Sequence, residues 1–208
     1  GAVKLMEFIL RTEYDLNAED DSGMTVWHCA CRYGQTETAQ LLIKSPNEFG
    51  IDLNAKDDYG STAWHWACCY GQTETAQLLI HSSKEFGINL NAKDDYGQTG
   101  LHEACCGNGP GKTETVQMIL KNWKEFGIDL NVKDNDGKTA LHHACYHCRT
   151  ETVGMILKNW KEFGIDIKAQ DYQGESALDL IEWKGERWNP IKEMLEKEYS
   201  QIDVIEPV

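Results

Sequence analysis

No stretch of this chain is apolar for long enough to cross a bilayer as a helix, and its opening residues, GAVKLMEFIL, are too acidic and too short for a secretory signal. Those absences point to a soluble protein of the cytoplasm or nucleus. Positive charge is also scarce, with 20 Lys and Arg against 34 Asp and Glu and a formal charge of −14. Phosphate backbones and anionic lipid surfaces need clustered cations, so nucleic acid and membrane are excluded as partners and a basic partner fits better. Glycine-rich phosphate loops are missing as well, since GNGPGK is too short to be one and reads as an insertion lengthening a turn.

What the chain does have is eight cysteines, which could form four disulfides. A chain of 208 residues with seven Trp and 41% hydrophobic composition builds a core without covalent staples, so reduced thiols are expected. The densest run of reactive side chains is HHACYHC, from His142 to Cys148. Alone it suggests zinc, whose ligands are thiolates and imidazoles.

Self-comparison changes that reading. The segments beginning DDSGMT, DDYGST, DDYGQT and DNDGKT align directly, with a weaker fifth copy at DYQGES. Their glycines, Gly23, Gly60, Gly97, Gly137 and Gly174, stand 37, 37, 40 and 37 residues apart, the longer step containing the insertion. Each unit opens with Asp, a variable pair and Gly, which make a tight turn. Thr25, Thr62, Thr99 and Thr139 then cap a helix, and three residues on, His28, His65, His102 and His142 can bond back to the turn. Ser176 and Asp179 offer the same logic in the last copy. Small residues at Ala30, Ala67, Ala104 and Ala144 allow close approach of a neighbouring helix. A second turn leads to TET and an apolar run at helical spacing, and the Gly of EFGIDLN ends that second helix.

The chain resembles the ankyrin repeat family, carrying TVWHCA, TAWHWA, TGLHEA and TALHHA where the family has T-P-L-H-x-A, and DLNAED, DLNAKD, NLNAKD and DLNVKD where it has D-V-N-A. The resemblance implies an all-α solenoid of helix-turn-helix units with β-hairpin-like turns. We expect one domain over 1–200: a partial repeat at 1–17, full repeats at 18–54, 55–91, 92–131 and 132–168, a capping repeat at 169–200, and a flexible tail at 201–208. Two features depart from the pattern. The usual Pro is replaced by Val26, Ala63, Gly100 or Ala140, and each unit exceeds the family's roughly 33 residues. The surplus falls in KSPNEF, HSSKEF and KNWKEF, at the end of the second helix. Phe49, Phe86, Phe126 and Phe163, with Trp123 and Trp160, are expected to form a seam between stacked units.

Aligned by repeat, Cys31, Cys68, Cys105 and Cys145 share the position where the family has a second Ala, and are read as small core hydrophobes. His142 joins the capping set, leaving His143, His147 and Cys148 unusual. His143 and His147 could share a helix face, but Cys145 to Cys148 is a CxxC inside a helix, without the knuckle geometry of structural zinc sites. Core and surface roles are preferred, and neither metal nor cofactor is expected. A shallow groove likewise disfavours a Cys–His nucleophile, so no enzyme is expected.

In the family, turn tips and the inward faces of the first helices form a concave surface, and variable residues there are contact candidates. They are Asp21, Ser22, Asp58, Tyr59, Asp95, Tyr96, Asn135, Asp136 and Tyr172 at the tips, with Arg32, Tyr33, Tyr70, Tyr146 and His147 at helix ends. Tyrosine gives rigid contact area and carboxylates select cations, so the expected partner is a protein or peptide, preferably basic. Alternatives are a metal- or redox-responsive switch on His143, His147, Cys145 and Cys148, or a structural spacer in a larger scaffold. Asn17, Asn54, Asn91 and Asn131 match positions that family members offer to an asparaginyl hydroxylase. Val3, Met6, Ile9 and Leu10 lack a covering repeat, so further repeats are expected before them, or weak self-association of an otherwise monomeric chain. Asn189 and Pro190 should open a polar terminal helix.

Overall fold

The computed structural model describes residues 15–44, 50–106 and 109–203. Val3, Met6, Ile9, Leu10, Phe49, the insertion's Gly107 and Asn108, and the tail beyond 203 lie outside the described residues.

Each unit begins with a turn organised by its own aspartate. Oδ1 of Asp20, Asp57, Asp94, Asp134 and Asp171 accepts the backbone N–H groups two and four residues on, at 2.8–3.0 Å. The turn glycines follow at φ between +73° and +84°, a region that favours glycine. A second reason for glycine is close approach, because a Cβ on Gly60 would lie 2.3 Å from Asp95 Oδ1. Successive tips are laced by backbone bonds, from Asp58, Asp95, Asn135 and Tyr172 N–H to the carbonyls of Ser22, Tyr59, Tyr96 and Asp136, at 2.9–3.1 Å. Gly60 and Gly97 thus occupy matching turns in adjacent layers. Among the described residues the turns remain hairpin-like without becoming strands, apart from one antiparallel bridge, Gln170–Ser176.

The first helices are α1 (Val26–Arg32), α3 (Ala63–Cys69), α5 (Gly100–Cys105) and α7 (Ala140–Tyr146), alternating with second helices α2 (Thr36–Lys44), α4 (Thr73–Phe86), α6 (Lys112–Phe126) and α8 (Thr150–Lys158). A reciprocal Thr–His capping box opens each first helix. In α3, His65 Nδ1 accepts the Thr62 backbone N–H at 3.1 Å. Its Nε2, left with the proton, donates to Gln98 O of the next unit at 3.1 Å. His28, His102 and His142 make the same reach, to Ala55 O, Lys138 O and Glu175 O. The capping histidine therefore does more than close its own turn: it also ties one layer to the next.

In the second and third repeats the surplus residues lengthen the second helices, as their spacing predicts, while residues 45–49 of KSPNEF lie outside the described residues. Helices α4 and α6 run on to left-handed Gly87 and Gly127, while α8 breaks and resumes as α9 (Trp160–Phe163) before Gly164. Phe86, Trp123, Phe126, Trp160 and Phe163 pack half-buried against the core. The core itself runs through every layer, with Trp27, Trp64, Cys31, Cys68, Cys105 and Cys145 fully buried. Gly100 replaces proline for a steric reason, since a Cβ there would lie 2.3 Å from Trp64 Nε1. In the last unit Ser176 and Asp179 cap a single 3-10 turn, Asp179–Ile181, instead of a helix. Helix α10 (Asn189–Asp203) closes the stack by burying Ile191 and Leu195.

Burial holds the His102 imidazole down to about 4, the neighbouring His143 adding to the effect, and lowers His65 and His142 as well. An unfolded chain protonates His102 near 6.5, whereas the folded chain resists until about 4. Stability present above pH 6.5 is therefore lost as pH falls to 4, His102 alone accounting for about 3 kcal/mol. Urea midpoints measured across this window should slope less steeply in His102→Gln than in the wild-type chain; identical slopes would contradict the assignment.

Candidate binding surface

The six tyrosines singled out from the sequence, Tyr33, Tyr59, Tyr70, Tyr96, Tyr146 and Tyr172, are all exposed. Exposed with them are Asp21, Asp58, Asp95, Asn135 and Asp136, while Ser22 is half-buried. Several of these already have structural work. Asn135 donates Nδ2 to Asp95 O of the preceding tip, and Asp136 pairs with Lys138 at 3.3 Å. Trp183, 77% exposed, is a large apolar group that the repeat alignment did not flag because it lies beyond the last recognisable helix start.

Arg32 is a strut. Its guanidinium lies 4.6 Å from the Trp66 ring centroid and 5.0 Å from that of Tyr70, and Nη2 donates to Tyr70 Oη at 2.9 Å. Stacked arginine of this kind is held in place by the ring faces. It fixes the wall of a cleft of about 470 Å3 between the tips and first helices of the first three repeats. Ser22, Met24, Tyr59, Ser61, Asp94 and Tyr96 line it from the turns, and Trp66, Cys69 and Glu103 from the helices. Trp66 is oriented by donating Nε1 to Asp57 Oδ2 at 2.7 Å. Glu103 charges this region: burial, the Glu103 charge and a hydrogen bond to that carboxylate together push the Cys69 thiol up to about 12.

Trp66, Asp94 and Glu103 were missed from sequence. A signal existed, because the residue after each capping histidine differs in every repeat: Cys29, Trp66, Glu103 and His143.

The histidine-rich string divides between two faces. Cys145 is fully buried in the core, and Cys148 Sγ turns to Arg187 O at 3.3 Å. A switch on His143, His147, Cys145 and Cys148 is therefore corrected: helical rotation points Cys145 away from both histidines. His143 and His147 do share a face, their rings stacked at 6.5 Å, but the thiol beside them is Cys106 of the preceding repeat. All eight cysteines are free thiols. Asn17, Asn54, Asn91 and Asn131 donate Nδ2 to the carbonyls of Gly50, Gly87, Gly127 and Gly164 in the next unit, 2.7–2.8 Å away. Their Oδ1 atoms accept backbone N–H groups of that same unit.

Stacked helix pairs that hold a variable face above a shared core define a solenoid binding module. A three-copy ankyrin repeat model matches residues 1–94 and again 83–171. The chain belongs to the ankyrin repeat family, whose members are generally protein–protein interaction modules. No curated protein matches the chain. Among the described residues, no helix is long and apolar enough to cross a membrane.

Because Arg32 packs against three aromatic rings, Arg32→Ala should lower stability by about 1 kcal/mol, and Arg32→Lys should recover little of it. Tyr59→Ala with Tyr96→Ala should leave the denaturation midpoint nearly unchanged. Chemical denaturation of the three variants distinguishes strut from contact surface, and equal losses would put the tyrosines among the structural residues.

Proposed function

We propose that the chain is a non-catalytic, cytoplasmic or nuclear binding module that takes a basic protein segment along the tips and first helices. The observation that carries this reading is the cleft between the first three repeats. There, two exposed tyrosines and an oriented tryptophan stand beside Glu103 and Asp94. An aromatic-walled, acid-lined recess suits a Lys or Arg side chain, whose apolar stem lies along the rings while its cation meets the carboxylates. Tyrosine loses little rotamer freedom on contact, and carboxylates reject acidic competitors.

Catalysis is not part of this reading. The buried thiols of the first helices, and Cys106 just beyond one of them, are pushed up by burial, so they stay protonated and weakly nucleophilic at neutral pH.

The test is selection from a random peptide library on the intact chain, followed by calorimetry on an enriched sequence. We expect Lys or Arg flanked by apolar residues. The Tyr59→Ala, Tyr96→Ala double variant should weaken binding by about 10- to 100-fold, as loss of two anchors implies. Glu103→Gln should weaken it more at low salt than at high salt. Enrichment without charge preference, or full affinity in the tyrosine variant, would exclude this surface; a pure spacer would enrich nothing.

A further inference from the structure

We propose that Cys106, His143 and His147 form a metal site of zinc type, shared between the third and fourth repeats. Cys106 follows the last turn of α5, and the two histidines lie one turn apart on and just past α7. The thiol sulfur and one ring nitrogen of each histidine lie within 4.8 Å of one another. His143 turns Nδ1 to Cys106 Sγ at 3.2 Å. Zinc bonds of about 2.3 Å to sulfur and 2.0–2.1 Å to nitrogen place tetrahedral ligands about 3.3–3.6 Å apart, so small side-chain movements close the set. Three protein ligands leave the fourth position to water or to a donor from outside.

The second observation is the other side of the His143 ring. Its Nε2 lies 2.7 Å from Oδ2 of Asp134, a buried carboxylate whose Oδ1 is held by the turn. A carboxylate behind a ligating imidazole fixes its tautomer and orientation and raises its basicity. This arrangement presents Nδ1, unprotonated, towards the thiol. His147 brings its own ring nitrogen to the same point. Lys112 and Arg149 repel a cation, but the Cys106 thiolate and the Asp134 carboxylate together match the ion's two charges. Lys112 Nζ is moreover drawn onto the Glu103 and Cys106 carbonyls.

The same order of groups, Cys, His and Asp, resembles an activated nucleophile. Burial argues otherwise, raising the Cys106 thiol to about 12 where a nucleophile needs the opposite. A bound ion displaces that proton directly.

The experiment titrates the intact chain, kept reduced by a non-thiol reductant, with Co(II) and then Zn(II). One equivalent of cobalt should give visible bands of tetrahedral type and a thiolate charge-transfer band, both erased by zinc. Cys106→Ser should remove the charge-transfer band, and His147→Ala should weaken binding about tenfold or more. Asp134→Asn should weaken it about 10- to 100-fold, reporting its positioning role. Cys69→Ser and Cys148→Ser should bind as the wild type does. Because His147 lies outside the capping network, its variant should fold, and zinc should raise the melting temperature of the wild type but not of His147→Ala. A cobalt spectrum lacking the thiolate band, or stoichiometric binding that survives both Cys106→Ser and His147→Ala, overturns the site.

Discussion

The hydrogen bond from each layer to the carbonyls of the next is the constraint on which this structure depends. Four ladders run along the stack: capping histidines, asparagines, and Lys56, Lys93 and Lys133 donate to carbonyls one unit on, while tip amides donate back to the carbonyls of the unit before. A single bond of this sort contributes only about 1 kcal/mol net, but a buried histidine or carbonyl left without its partner costs about 1–3 kcal/mol. One isolated unit would leave all its forward-reaching donors unmet and its tryptophan or leucine face open. Stability is thus a property of neighbours, as in any stack where each unit contacts only the adjacent ones.

That constraint also sorts the acidic residues. The first aspartate of each tip has Oδ1 occupied by its own backbone, and from the second repeat on it is buried, so it contributes shape first and meets a partner only where Oδ2 lines a cleft. Asp57, Asp94, Asp134 and Asp171 would remain necessary if no partner existed. The surface field belongs to the second acids, Asp21, Asp58, Asp95 and Asp136, and to Glu103. Formal charge counted from the sequence therefore overstates what a partner meets. The same sorting separates Arg32 from the tyrosines around it, since the cation is consumed by aromatic stacking while Tyr59 and Tyr96 stay open.

Much of this was legible in the sequence, because the repeat period compares each position with its equivalents. The turn glycines, the Thr–His caps, the buried cysteine file and the lengthened second helices all follow from alignment alone. What alignment hides is contact across the period. Nothing in the alignment sets Cys106 beside His143, whereas Cys148 stands next to His147 in the chain. Sequence proximity misleads here because Cys145 and Cys148 lie on a helix and its end, where rotation carries Cys145 into the core, while lateral stacking brings Cys106 over from the unit before. What holds Arg32 is hidden for the same reason: Trp66 and Tyr70 lie a full repeat away.

A single geometric device then explains why the variable face can serve different chemistry in different repeats. One carboxylate oxygen of the turn aspartate is fixed on backbone amides, which leaves the other to orient whatever follows the capping histidine. In the second repeat it holds the Trp66 indole at 2.7 Å and builds an aromatic wall. In the fourth it holds the His143 imidazole at the same distance and aims a ring nitrogen at a thiol. In the third repeat Glu103 follows the capping histidine, so two acidic side chains, Asp94 and Glu103, line the same cleft. In the fifth, Leu180 occupies the equivalent place, and Asp171 Oδ2 is buried without a partner. The turn sets the fold with one oxygen, and in the second and fourth repeats its other oxygen orients a different side chain on the variable face.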